Sequence, residues 1–93
     1  VMMLAGPSLR TIPLTVHVPL AEVPRLLSAE LIAHKARIVA AGLRRDFGVL
    51  SPRLAIAALN PHAGEGGQFG DEEARIITPA IATLQAEGIA AFG

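Results

Sequence analysis

The chain has 93 residues, 52% of them apolar and 17% charged, with a formal net charge of zero and no cysteine. Balanced charge, and the lack of aromatic residues interleaved with basic ones, give no case for nucleic acid as a partner; the missing thiols exclude disulfides and thiolate metal sites. No apolar run approaches the roughly 18 to 20 residues needed to span a bilayer, and Val1 to Ala5 lacks the charged flank and length of a signal peptide, so the expectation is a cytoplasmic protein with no membrane partner.

Val1 to Ala5 reads as a strand, Gly6-Pro7-Ser8 as a turn, and Leu9 to Val16 as a second strand, where Pro13 is acceptable only at an edge or an interruption of the ladder. Prolines at 13, 19 and 24 keep the following stretch irregular. A helix then runs from Ala29 to Phe47, with Ser28 as its cap, Leu27 and Ile32 spaced as a hydrophobic staple, and Gly48 as its stop. Ile32, Ala36, Val39, Leu43 and Phe47 form one apolar stripe, while His34, Arg37, Arg44 and Arg45 lie on the other side, which leaves His34 solvated. Ile38 and Leu31 fall off that stripe and are free for a contact with another surface. Arg53 to Leu59 reads as a strand buried on both faces. The last helix opens on Asp71-Glu72-Glu73, where the dipole favours acids, contains Pro79, which removes one backbone bond and predicts a kink, and closes at Gly88.

Strands alternating with helices give an α/β class in a three-layer α/β/α arrangement. A domain this small buries only about 60 to 65% of its unfolded surface, and the apolar content is high for that, so faces covered by more protein are expected. Val1 is not an initiator methionine and stands inside an apolar strand. Residues 1–93 are therefore read as a single segment, an incomplete part of a larger protein, prone to self-association on its own.

The chemistry concentrates in Leu59-Asn60-Pro61-His62-Ala63-Gly64-Glu65-Gly66-Gly67, which hangs a histidine and a glycine run off the end of a strand. In α/β sheets ligands bind at that end. Glycines there let a ligand approach the main chain closely. A glycine-rich turn before a helix N-terminus also suits a phosphate, but Glu65 and Asp71 add opposing charge, and Phe69 stands where the dinucleotide fingerprint needs its third glycine. A lone loop histidine commonly just hydrogen-bonds a carbonyl. His17, however, also ends an apolar extended run, Thr11 to Val16. If the two strands are parallel neighbours, the imidazoles of His17 and His62 converge on one divalent ion. Two ligands do not complete a site, so a third comes from elsewhere.

The strings VMMLA (1 to 5), VHVPL (16 to 20), LRRDFG (43 to 48), PRLAIAALNPHAGEGG (52 to 67) and IITPAI (76 to 81) resemble the 4-hydroxythreonine-4-phosphate dehydrogenase family of pyridoxal phosphate biosynthesis. The resemblance implies a homodimeric α/β/α enzyme with two subdomains, an isocitrate/isopropylmalate-dehydrogenase-like fold, and an active site at the dimer interface. It implies NAD- or NADP-linked oxidation of 4-(phosphooxy)-L-threonine, followed by loss of carbon dioxide to give 3-amino-2-oxopropyl phosphate. It further implies a divalent ion, zinc or a substitute such as magnesium or cobalt, held by three histidines. His17 matches the family's T-H-L-P-L element and His62 its N-P-H-A-G-E-G-G element; the third histidine belongs to an H-D-Q-G element that is not in these residues. The family's G-H-T-E segment and its phosphate-binding Lys, Asn and Arg have no match either, so no catalytic or cofactor-binding residue is assigned. Val16 stands where threonine is usual, and Gln68-Phe69 where His-Leu or His-Met is common. Two alternatives stay open: a related dehydrogenase acting on another phosphorylated hydroxy acid or a dihydrodiol, and a structural or dimerisation segment without catalysis of its own.

Overall fold

The computed structural model describes residues 1–57 and 73–93. The end of the third predicted strand, the glycine loop with His62, and the Asp71-Glu72 opening of the last helix lie outside the described residues. In chain order the elements are β1 (Leu4–Ala5), β2 (Arg10–Thr11), α1 (Val23–Leu26), α2 (Ala29–Phe47), β3 (Arg53–Ala55), α3 (Thr78–Ala86) and β4 (Ala90–Phe92).

The long helix α2 has the predicted bounds because both ends are chemically specified. The Ser28 hydroxyl accepts the Leu31 amide at 3.0 Å, satisfying one of the donors that a first turn leaves open. Leu27 packs with Ile32 in one apolar cluster, as a staple requires. At the other end Gly48 takes a left-handed conformation, φ 69°, and the Val49 amide reaches back to the Leu43 carbonyl at 3.0 Å. The buried face of α2 is Ile32, Ala33, Ala36, Val39, Ala40 and Leu43; Phe47, expected on the stripe, is half exposed and carries the Arg10 guanidinium 5.0 Å above its ring.

At Pro79 the last helix changes its hydrogen bonding: residues Glu73–Ile77 form a π turn, and α hydrogen bonding begins at Thr78 with Pro79 at its second position. Proline has no amide to donate and its ring crowds the carbonyl four residues back, so an α ladder running through it is disfavoured, whereas the first turn tolerates it. Gly88 closes α3 as predicted, at φ 85°. Its amide donates to Gln85 at 3.0 Å, Ile89 donates to Leu84 at 3.0 Å, and Ile89 packs on the cluster that contains Leu84. That pairing of bonds and apolar contact is a Schellman ending.

Beyond Gly88 comes a strand that the sequence pattern does not reveal. β4 pairs parallel with β3 in the register Arg53↔Ala90, Leu54↔Ala91, Ala55↔Phe92, and the Ile56 amide extends the ladder to the Phe92 carbonyl at 2.7 Å. Leu54 and Ile56 face the helices and are half-buried, while Ala55 and Ala57 are exposed, so β3 is covered on one side among the described residues rather than on both. The class is α/β, with α2 and α3 packed together over a parallel pair. The first two predicted strands shorten to a two-residue antiparallel hairpin, Leu4↔Thr11 and Ala5↔Arg10, around the expected Gly6-Pro7-Ser8 turn. Pro13 lacks the N–H that would carry β2 further. No helix among the described residues is long and apolar enough to cross a membrane.

Two outcomes follow from this packing. Leu84 is fully enclosed, so Leu84→Ala is expected to destabilise the protein by about 2 to 5 kcal/mol in urea unfolding, and a loss below about 1 kcal/mol would show that the site collapses around the smaller side chain. The Arg37 guanidinium joins α2 to the Glu87 carboxylate through bonds of 2.7 and 2.5 Å. The bond from Arg37 holds the Glu87 carboxyl below its ordinary pKa. The stability it contributes is therefore full above the ordinary carboxylate range and lost as pH falls through the lowered value. Glu87→Gln should flatten the acid limb of a stability-against-pH profile; an unchanged limb would show that solvent screens the pair completely.

Candidate metal-binding residues

His17 lies well beyond the end of β2, in a stretch from Ile12 to Pro19 without regular hydrogen bonding. Two anchors bracket it. On one side Leu14 packs against the cluster of Ile32, Ile76, Ile77 and Ala80, and its carbonyl accepts the Lys35 ammonium at 2.6 Å. On the other, Pro19 begins a short 3-10 turn, Leu20–Glu22, closed by the Glu22 amide on the Pro19 carbonyl at 2.9 Å, and α1 follows directly. Between them His17 is the one non-glycine among the described residues with a positive φ, 58°. A left-handed L-residue costs about 1 to 2 kcal/mol, and such conformations persist where the surroundings impose them, often at ligand clamps. The imidazole is exposed and has no hydrogen-bond partner among the described residues. It is thus presented outward from a held backbone with its nitrogens uncommitted.

The strand arrangement does not place His17 as expected. β2 pairs antiparallel with β1, and β3 pairs with β4, so among the described residues β2 and β3 belong to separate sheets and are not parallel neighbours. His17 reaches its position through the irregular proline-punctuated stretch and not from a strand end. His62 lies outside the described residues, as do Asn60 and Glu65. Among the described residues no group of three His, Cys, Asp or Glu side chains is placed to hold a metal ion. His34 is solvent-exposed on α2, as predicted.

A cavity of about 860 Å³ separates the hairpin from α2 and β3, floored by Leu14, Ile32, Val39, Leu43, Leu54 and Ile56. Its charged lining residues among those described, Arg10, Lys35 and Arg53, are all basic. Lys35 was not singled out by sequence pattern, since a lysine flanking an apolar stripe ordinarily points to solvent. Its bond to a carbonyl 21 residues away leaves no trace in local spacing.

A family model described as pyridoxal phosphate biosynthetic protein PdxA matches residues 1–93. The chain belongs to the PdxA family. It is 67% identical over 93 residues to a 4-hydroxythreonine-4-phosphate dehydrogenase of Erythrobacter litoralis, covering 100% of this chain and 28% of the relative. The crystal structure of 4-hydroxythreonine-4-phosphate dehydrogenase from Klebsiella pneumoniae superposes with a TM-score of 0.92 at 40% identity, over 98% of this chain and 28% of that one. A terephthalate 1,2-cis-dihydrodiol dehydrogenase from Burkholderia xenovorans matches at a TM-score of 0.77 and 30% identity, over 83% of this chain and 25% of that one. The chain spans about 28% of the length of the dehydrogenases it most resembles among these.

The backbone at residue 17 gives a direct check. His17→Gly removes the left-handed cost and His17→Ala retains it, so the glycine variant should be about 1 kcal/mol more stable than the alanine variant in thermal unfolding. An alanine variant of equal or greater stability would mean that the left-handed turn is not kept in solution.

Proposed function

We propose that this chain is a segment of a metal-dependent, NAD(P)-linked 4-hydroxythreonine-4-phosphate dehydrogenase, which oxidises and decarboxylates 4-(phosphooxy)-L-threonine to 3-amino-2-oxopropyl phosphate in pyridoxal phosphate biosynthesis. The observation that carries this reading is the 67% identity, over 100% of the chain, to a relative bearing that name. His17 and His62 are the metal ligands that the segment contributes. The donor chemistry suits the group: His17 offers an exposed imidazole with no competing partner among the described residues, and neutral imidazole ligates zinc, cobalt and similar ions. When bound, a divalent ion supplies Lewis-acid polarisation of the substrate hydroxyl and stabilises negative charge on that oxygen.

The chain's own part is to hold two ligands in line and to shape the cleft. Leu14 and the Pro19 turn keep His17 from swinging, which limits the conformational entropy lost when it engages an ion. The third ligand, the nicotinamide site and the phosphate anchors belong to other parts of the enzyme, so the 93 residues alone are inactive. Exposed Leu20, Ile38, Phe47, Leu50 and Phe92 are apolar faces to be covered by the remaining polypeptide and by the second subunit of a homodimer. The enzyme operates in the cytoplasm.

The structural likeness to a dihydrodiol dehydrogenase favours one second reading, oxidation of a cyclic dihydrodiol with the same metal chemistry. Both readings are tested in the full-length dehydrogenase. His62→Ala should abolish metal-dependent NAD(P) reduction by 4-(phosphooxy)-L-threonine, with its circular dichroism unchanged. Wild-type turnover with stoichiometric metal still bound would rule out the ligand role. Turnover of a terephthalate dihydrodiol in preference to the phosphorylated amino acid would transfer the reading to the second substrate.

A further inference from the structure

We propose that Lys35 is a positioning residue for His17: its bond to the Leu14 carbonyl sets the turn that presents the imidazole. The inference rests on the reading of His17 as a ligand. Leu14 is held twice, and the two contacts constrain different things. Packing of its side chain on Ile32, Ile76, Ile77 and Ala80 fixes where the residue sits on the core, but apolar contact is non-directional and leaves the orientation of the peptide plane unset. The Lys35 ammonium, 2.6 Å from the carbonyl oxygen, removes that freedom. A charged donor makes a short, strong bond to a carbonyl, and here it comes from the middle of a helix capped at both ends. Orienting the Leu14–Thr15 peptide sets the path of Thr15 and Val16, and so the direction from which the chain enters the left-handed conformation at His17. Lys35 itself is half-buried beside the cavity. A lysine kept there merely for solubility would extend into water.

The test uses the full-length dehydrogenase with K35M, K35R and H17A, reading backbone amide order parameters of Thr15, Val16 and His17 by NMR relaxation, and zinc affinity by competition with a chromogenic chelator. K35M should lower the order parameters at those three residues and bind zinc about tenfold more weakly, the lower end of what loss of an outer support does to a metal site. K35R, which keeps a cationic donor, should recover most of both. K35M with wild-type order parameters overturns the proposal, whatever happens to zinc. Lowered order parameters with wild-type zinc affinity also overturn it, provided that H17A has lost zinc. If H17A keeps its zinc, the ligand reading has failed instead, and the order parameters alone then decide whether Lys35 holds the turn.

Discussion

Ala33 and Ala36 of α2 meet Leu84 of α3 and Ala91 of β4 in one cluster, and the small size of three of these four side chains is what lets two helices and a strand share it. No polar or charged side chain is buried among the described residues, so the cluster depends on close apolar packing. It also closes the parallel strand pairing of β3 with β4. β3 and β4 are far apart in sequence, and their register requires that α3 lie flat on α2 with its Schellman ending turning the chain back into the sheet. A larger side chain at Ala36 or Ala91 would push the helices off the strand pair and uncouple the register from the helix contact.

The same packing carries consequences to the irregular stretch that bears His17. Ile32 directly precedes Ala33 on α2 and joins Ile76, Ile77 and Ala80 in the second cluster, on which Leu14 rests. The segment that carries His17 therefore takes its position from the helix layer, not from a strand. This placement also accounts for the left-handed histidine: a segment pinned at Leu14 and again at Pro19 has few residues in which to turn, and one of them takes the uncommon conformation.

The parts of the fold that were legible in the sequence are those with local chemistry. α2 could be bounded to the residue because a capping serine at one end and a left-handed glycine at the other each act within a turn of their own position, with a 3.6-residue apolar stripe between them. The Gly6-Pro7-Ser8 turn and the Gly88 ending were legible for the same reason. β4 was not, since Ala90-Ala91-Phe92 is too short for any alternation and exists only because β3 offers a free edge. The extent of β2 was overestimated because apolar residues from Leu14 to Val16 continue the pattern after Pro13 has ended the ladder. His17 could be singled out through its apolar context and its match to a family element, whereas Lys35 could not, because a contact between residues 14 and 35 has no local signature.

The central claim is that His17 and His62 ligate one divalent ion. Anomalous scattering at the zinc edge from crystals of the zinc-loaded full-length dehydrogenase tests it most directly. The account predicts a single peak within about 2.0 to 2.1 Å of one imidazole nitrogen of each. A zinc peak bound by neither histidine, or the two rings lying too far apart to share an ion, would contradict it.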